Sequence, residues 1–283
     1  MTTPTAAAIG RARPRARRPD GLLCPSGPPR RAGMLAASAT FGWRALLKIK
    51  HEPKQLTDVI AIPVLITVVF TYIFGGAISG TPGNYLKVLL PGTLSMSVAL
   101  VTMYGGARLA QDVTTGVFDR FRSLPVWRGA FVLGGLLSDA GRYLFASGIV
   151  VVLGLIMGYR PDGGAPGVLA AVALVTAFGL ALSWLWATVA LLVRNPAVLI
   201  SIANVVLMPL SFASNVFVQA RTMPRWLQAF VNVNPISHLA GATRDLMNNV
   251  GGAGGAVAWT LIATATITLV FAPLTLHLYG KQR

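Results

Sequence analysis

Six stretches of the chain carry no Asp, Glu, Lys or Arg, and each approaches or exceeds the length needed to cross a lipid bilayer. They lie between Asp58 and Lys87, Lys87 and Arg108, Arg142 and Arg160, Asp162 and Arg194, Arg194 and Arg221, and Asp245 and Lys281. A helix spans the hydrocarbon core with about 20 mainly apolar residues, and with fewer where flanking Lys or Arg reach back to the interface. Only 11% of the residues are charged and 54% are hydrophobic, whereas a soluble domain carries about 25% charged residues. The pattern predicts an all-α polytopic membrane protein with six spans at about residues 59–79, 88–108, 138–158, 168–193, 198–218 and 255–278. That leaves room for short loops and a tail but not for an added globular domain of about 100 residues. The single cysteine, Cys24, excludes an intrachain disulfide and any cysteine cluster for a metal.

The net charge of +16 is informative through its placement. Residues 1–57 hold eleven Lys or Arg against Asp20 and Glu52. With six spans and that tail inside, Arg108, Arg120, Arg122, Arg128, Arg142, Arg194, Lys281 and Arg283 also fall inside. Lys87, Arg160, Arg221, Arg225 and Arg244 fall outside. This asymmetry follows the positive-inside rule and puts both termini in the cytoplasm. It points to anionic lipid headgroups, not nucleic acid, as the partner of the basic charge.

Residues 1–33, rich in Pro, Arg, Gly and Ala, read as a disordered basic cytoplasmic tail. Neither Arg17–Arg18 nor Arg30–Arg31 is followed by an apolar segment suited to an export signal, so the first span directs insertion. Residues 34–57 read as an interfacial amphipathic helix: Trp43, Leu46 and Leu47 share a face, with Arg44 and Lys48 beside it. Residues 58–283 form the transmembrane domain. Within it, Asp139 and Arg142 lie three apart on one helix face and can pair near the inner headgroups. Gly154 and Gly158 have a spacing that suits close helix packing.

The chain holds no engine of its own. No phosphate-binding loop is present, because the one lysine that follows a glycine, Lys281, has no helix after it. The spans lack the ionisable groups of ion-coupled carriers. His51, His238 and His277 fall in three separate regions without metal-ligand spacing, and no nucleophile, base and orienting acid can be assembled. Catalytic and metal-ligating residues are therefore assigned to none, and no cofactor is expected on this chain. The energy for any work it does comes from outside.

The segment from Gln111 to Gly129 lies between the second and third spans. Thr114 or Thr115 is placed to cap a short helix that Pro125 ends, with Val117, Phe121 and Leu124 on one face and Asp119, Arg120 and Arg122 around it. On the residues alone this ridge either inserts into a groove of another protein or lies on the membrane. The sequence FDRFRSLP from Phe118 to Pro125, with VWRGAFVLGGLLSDAGR after it, resembles the loop of type-2 membrane subunits of ATP-binding-cassette (ABC) exporters, in particular the daunorubicin and doxorubicin resistance permeases. A second match is SNVFVQARTMPRWLQAF from Ser214 to Phe230, continuing as VNVNPISHLAGATRDLM to Met247. The likeness runs from about Leu46 to the C-terminus.

The resemblance implies a non-catalytic permease subunit in a bacterial plasma membrane. Two copies of the chain would pair around a pathway, each resting on a separate ATPase subunit that holds ATP and Mg. It assigns Asp119, Arg120, Phe121, Arg122, Ser123, Leu124 and Pro125 to coupling with that ATPase. It makes the region of Trp226, Asn234, Pro235 and His238 the closure of the outer end of the pathway. A seventh span there would bury several amides and put the C-terminus outside, so an external re-entrant or interfacial helix pair is expected, with Asn234 and His238 holding the turn by local hydrogen bonds. The family places the fifth span near the dimer interface, which makes Ser211, Ser214 and Asn215 pathway candidates. Apolar residues such as Trp186, Met208 and Phe212 favour export of a lipophilic or amphipathic drug or natural product. Export of a glycolipid or polysaccharide, or a membrane-embedded enzyme or scaffold, are the alternatives.

Overall fold

A computed structural model of the chain describes residues 53–115, 130–218, 222–249 and 253–281. Every regular element among them is helical: α1 (Pro53–Val69), a π-helical turn (Phe70–Phe74), α2 (Gly75–Ser79), α3 (Pro82–Thr114), α4 (Ala130–Ile156), α5 (Gly164–Val193), α6 (Pro196–Phe212), α7 (Arg225–Val233), α8 (Pro235–Met247) and α9 (Ala253–Lys281). Five candidate spans are long and apolar enough to cross a membrane: residues Ala61–Ser79, Pro82–Thr114, Gly134–Ile156, Gly164–Val193 and Gly254–Leu278.

Proline punctuates the helix starts. Pro82, Pro196 and Pro235 each occupy a first-turn position, where the missing N–H is not needed. The residue before each one caps the helix: the Thr81 hydroxyl accepts from Asn84 N at 3.3 Å, Asn195 Oδ1 from Ala197 N at 3.0 Å, and Asn234 Oδ1 from Ile236 N at 2.9 Å. Helix ends use the left-handed region. Arg194, at φ 51°, stops α5 and leaves Asn195 and Pro196 to turn straight into α6.

Helix α3 is the axis of the fold. It is 33 residues long, about 50 Å of helix, and 89% of its most apolar stretch is buried against protein, compared with 6% for α9. Helices α1, α4, α5, α6 and α8 all pack on it, whereas α9 rests on α5 and α8. Small residues allow the close approaches: a Cβ at Gly106 would lie 2.7 Å from Trp186 Cβ, and one at Gly154 would strike the Leu90 side chain. Gly158, the other glycine of that spacing, does not pack; it takes φ 95° and ends α4 in a turn.

Three boundaries differ from those expected. The second span is longer, because α3 starts at Pro82 and runs through Thr114. The hydroxyls of Thr114 and Thr115 donate to Gln111 O at 2.9 Å at the end of α3, and the short helix expected after them lies outside the described residues. Residues 53–57, expected in the interfacial helix, form the first turn of α1, and residues 34–52 lie outside the described residues. The fifth span is shorter. Helix α6 stops at Phe212 after 17 residues, about 25 Å, and residues 213–218 fold as turns. The physical reason is a competing donor: Asn234 Nδ2 donates to Leu210 O at 2.7 Å and Ala213 O at 3.2 Å, satisfying carbonyls that a longer helix would have bonded itself.

Candidate functional site

At the end of the bundle opposite the 116–129 segment, α8 is fastened to α3 at a proline. Pro91 has no N–H, so the carbonyl of Lys87 one turn earlier loses its helical partner. Asn248 Nδ2 supplies the bond at 2.9 Å, while Asn248 Oδ1 accepts from the Tyr159 hydroxyl at 2.8 Å. Arg244 bridges the same place: Nε and Nη2 donate to Val88 O at 3.2 and 3.0 Å, and Nη2 also donates to Asn215 O at 2.9 Å. Burial lowers the Arg244 guanidinium to about 10, which leaves it charged at neutral pH, and raises the Asp245 carboxyl and the Tyr159 phenol. Ser95 and Thr243 hydroxyls complete the seam at 3.1 Å.

The residues expected at this outer end divide by role. Asn234, 3% exposed, is the joint described above. Pro235 opens α8. The ring of His238 stacks on Trp259 with centroids 4.0 Å apart, and its Nε2 lies 2.7 Å from Asn232 O, so it is held by local structure. Trp226 is 74% exposed on α7, where it shares an outward stripe with Phe230 and Val233. Ser211 is buried in the last turn of α6 and Ser214 in the turn that follows, with the Ser214 hydroxyl donating to Ser211 O at 2.5 Å. Asn215 gives its carbonyl to Arg244 and keeps Oδ1 buried without a partner. Removing the joint has a defined effect: Asn234→Ala forfeits one helix cap and two carbonyl contacts, expected to cost about 2–4 kcal/mol. The loss is read as a lowered Tm of the purified protein in detergent.

A groove opens between α1 and α6, which do not touch, with α3 as its floor. Its cavity of about 210 Å³ is lined by Ile62 and Pro63 from α1, Ser97, Leu100, Met103 and Tyr104 from α3, and Ile200, Asn204 and Met208 from α6. Asn204 stands midway along α6, half-buried, and its amide has no hydrogen-bond partner among the described residues. Asn in a membrane helix commonly hydrogen-bonds across to a neighbouring helix, and this one instead lines the groove. One to two turns beyond the groove three aromatic rings cluster: Phe70 lies 4.8 Å from Phe217, and Phe212 lies 5.3 Å from Phe217, centroid to centroid. The Tyr85 hydroxyl anchors Phe217 by donating to its carbonyl at 3.1 Å. Of the apolar residues expected to face cargo, Met208 lines the groove. Phe212 belongs to the aromatic cluster, and Trp186 is buried in the core with its indole N–H on Thr102 Oγ1 at 3.0 Å.

At the other end, Asp139 of α4 pairs across helices. Its Oδ1 accepts from Arg108 Nη2 of α3 at 2.5 Å, and the expected partner Arg142 is farther, at 3.8 Å. The sequence pass missed Arg108 because nothing in one dimension brings residue 108 beside residue 139. The residues expected to couple to an ATPase, Asp119, Arg120, Phe121, Arg122, Ser123, Leu124 and Pro125, lie outside the described residues.

Comparison with known proteins fits this geometry. The family model for ABC-2 type transporters matches residues 38–248. The chain is 42% identical over 254 residues to the daunorubicin resistance ABC transporter permease protein of Streptomyces coeruleorubidus, covering 90% of this chain and 89% of that one. It is also 27% identical over 198 residues to the doxorubicin resistance ABC transporter permease protein of Mycobacterium tuberculosis, covering 70% of this chain and 68% of that one. A probable doxorubicin resistance permease of the same organism is 25% identical over 203 residues. A bundle of long apolar helices organised around one buried axis suits such a subunit; the chain belongs to the ABC-2 type transporter family and is a membrane permease of an ABC transporter.

Proposed function

We propose that this permease moves a lipophilic or amphipathic drug or natural product out of a bacterial cell, as two copies of the chain seated on two separate ATPase subunits. The observation that carries the reading is the groove between α1 and α6: apolar walls, one uncommitted amide at mid-depth, and an aromatic closure at its outer end. Such a lining suits an aromatic or lipid-like cargo with a few polar groups. A sugar chain would need far more hydrogen-bond partners than Asn204, Ser97 and Tyr104 provide. The names of the relatives, daunorubicin and doxorubicin resistance permeases, agree with that cargo class.

In this reading the 116–129 segment and both termini face the cytoplasm, where the basic charge of residues 1–57 meets anionic lipids. Six spans cross the membrane, α6 being a short one, and α7 and α8 form the external re-entrant pair. The second copy covers the apolar faces of α1, the π-helical turn after it and α6, where Leu65, Tyr72, Val205 and Phe212 are exposed. The chain itself catalyses nothing. ATP and Mg are bound by the partner, which docks on residues 119–125 and rocks the bundle as its nucleotide state changes.

Reconstitution with the cognate ATPase in liposomes tests this. ATP-dependent movement of an anthracycline is the expected result, and transport that proceeds without any ATPase refutes the reading. Asn204→Leu is expected to raise the KM for a hydrogen-bonding cargo about tenfold while leaving ATPase association unchanged, the loss of one buried hydrogen bond. An unchanged KM removes Asn204 from the pathway.

A further inference from the structure

We propose that the ion pair of Arg108 and Asp139 is the fulcrum that makes α3 and α4 move as one body when force reaches the segment between them. The inference rests on the function proposed above and adds two positioning residues to it. Arg108 stands six residues before the end of α3 at Thr114, and Asp139 nine residues after the start of α4 at Ala130. Some 9 and 13 Å of helix therefore project past the pair toward the 116–129 segment. The two stems are levers, and the pair is where they are tied.

The tie is built with care for its geometry. Arg108 and Asp139 side chains are 19% and 8% exposed, and a Cβ at Gly105 would lie 2.6 Å from Asp139 Oδ2, so only glycine leaves the carboxylate its seat. Arg142 holds the same oxygen from its own helix at 3.8 Å. One helical turn farther along the bundle, the Tyr143 hydroxyl meets Ser183 Oγ at 2.6 Å, and the Trp186 indole meets Thr102, linking α5 to both. Below the pair, Ala107 and Ala110 pack against Ala190 and Leu199, which seats the α3 stem on α5 and α6.

Stability alone does not explain the pair. Apolar side chains of similar volume hold helices together as well as a buried ion pair or better, because desolvation offsets most of the attraction. What the pair adds is direction. A guanidinium on one helix and a carboxylate on the other resist sliding and separation, and the load passes to α3, which touches both the groove and the outer seam.

The test is transport per ATP hydrolysed by the permease reconstituted with its ATPase. Asp139→Asn is expected to leave association and hydrolysis within about twofold while cargo moved per ATP falls about tenfold. A covalent tie is expected to rescue it. An added Cβ at residue 105 lies 3.1 Å from Asp139 Cγ, so a disulfide in Gly105→Cys, Asp139→Cys is within reach. In a Cys24→Ser background the oxidised form is expected to restore coupling and the reduced form to lose it. Asp139→Asn with wild-type coupling overturns the inference. So does equal coupling in the oxidised and reduced forms, a comparison within one preparation that decides the matter even if Asp139→Asn accumulates poorly. A wild-type complex without ATP-dependent transport refutes the proposed function itself, a result distinct from either.

Discussion

Changing Phe121 and Leu124 together to Asp is expected to abolish copurification with the ATPase and to lower ATP-driven transport about 100-fold or more. The sequence predicts that the two residues share a face with Val117, with the charged Asp119, Arg120 and Arg122 around it. A ridge of that kind binds by burying its apolar side chains, and central aromatic or aliphatic anchors typically contribute about 2 kcal/mol or more each. Two carboxylates there replace buried area with charges that must be desolvated, and the two losses multiply. The bundle itself is expected to fold, since the substituted residues lie beyond the ends of α3 and α4; an unchanged Tm checks this. If the doubly substituted permease still pulls down its ATPase and exports cargo, the segment is not the docking site.

The second large effect is structural. Gly92→Leu is expected to prevent accumulation of folded, monodisperse permease. A Cβ at residue 92 would lie 2.5 Å from Val216 O and 2.9 Å from Val216 Cα. The obstacle is backbone, so no rotamer change relieves it, and the cost exceeds the about 1–3 kcal/mol of ordinary overpacking. The turn it displaces carries the Asn215 carbonyl bound by Arg244, the Phe217 carbonyl bound by Tyr85, and the ring that meets Phe70. Losing that turn unlocks α8 from α3 and opens the aromatic cluster. Gly148→Ala is the control: a Cβ there meets nothing within 4 Å, and its effect is expected to stay within about 0.5 kcal/mol. A Gly92→Leu permease with wild-type yield and Tm would show that the turn does not pack as described.

The helical architecture was legible because a bilayer leaves few alternatives. Where the charge-free intervals lie, backbone groups must bond internally, and long helices follow. The sharp turn at Arg194, Asn195 and Pro196 was equally plain, as was the polar character of Asn234. The site was less so. Ser211, Ser214 and Asn215 read in the sequence as the polar end of the fifth span; Ser211 does lie in the last turn of α6, whereas Ser214 and Asn215 sit in the turn beyond it that Asn234 and Arg244 hold in place. Asn204, in the middle of an apolar run, was overlooked, although an isolated amide at mid-span was the signal that pointed to the groove. Arg244 was counted as an outer charge, when most of its hydrogen-bonding capacity is spent on backbone carbonyls.

Hydropathy and two motifs thus determined by themselves that this chain is a helical membrane permease of the ABC-2 type, because those properties are sums over local residues. Which helix is the axis, that Asp139 faces Arg108 across two helices, that α6 ends at Phe212, and that α1 and α6 stand apart over α3 were decided only by tertiary structure. These depend on close approach between residues 20 to 160 positions apart, and in a membrane, where apolar side chains are nearly interchangeable, such approaches are selected by the shape of glycines and the directions of a few hydrogen bonds.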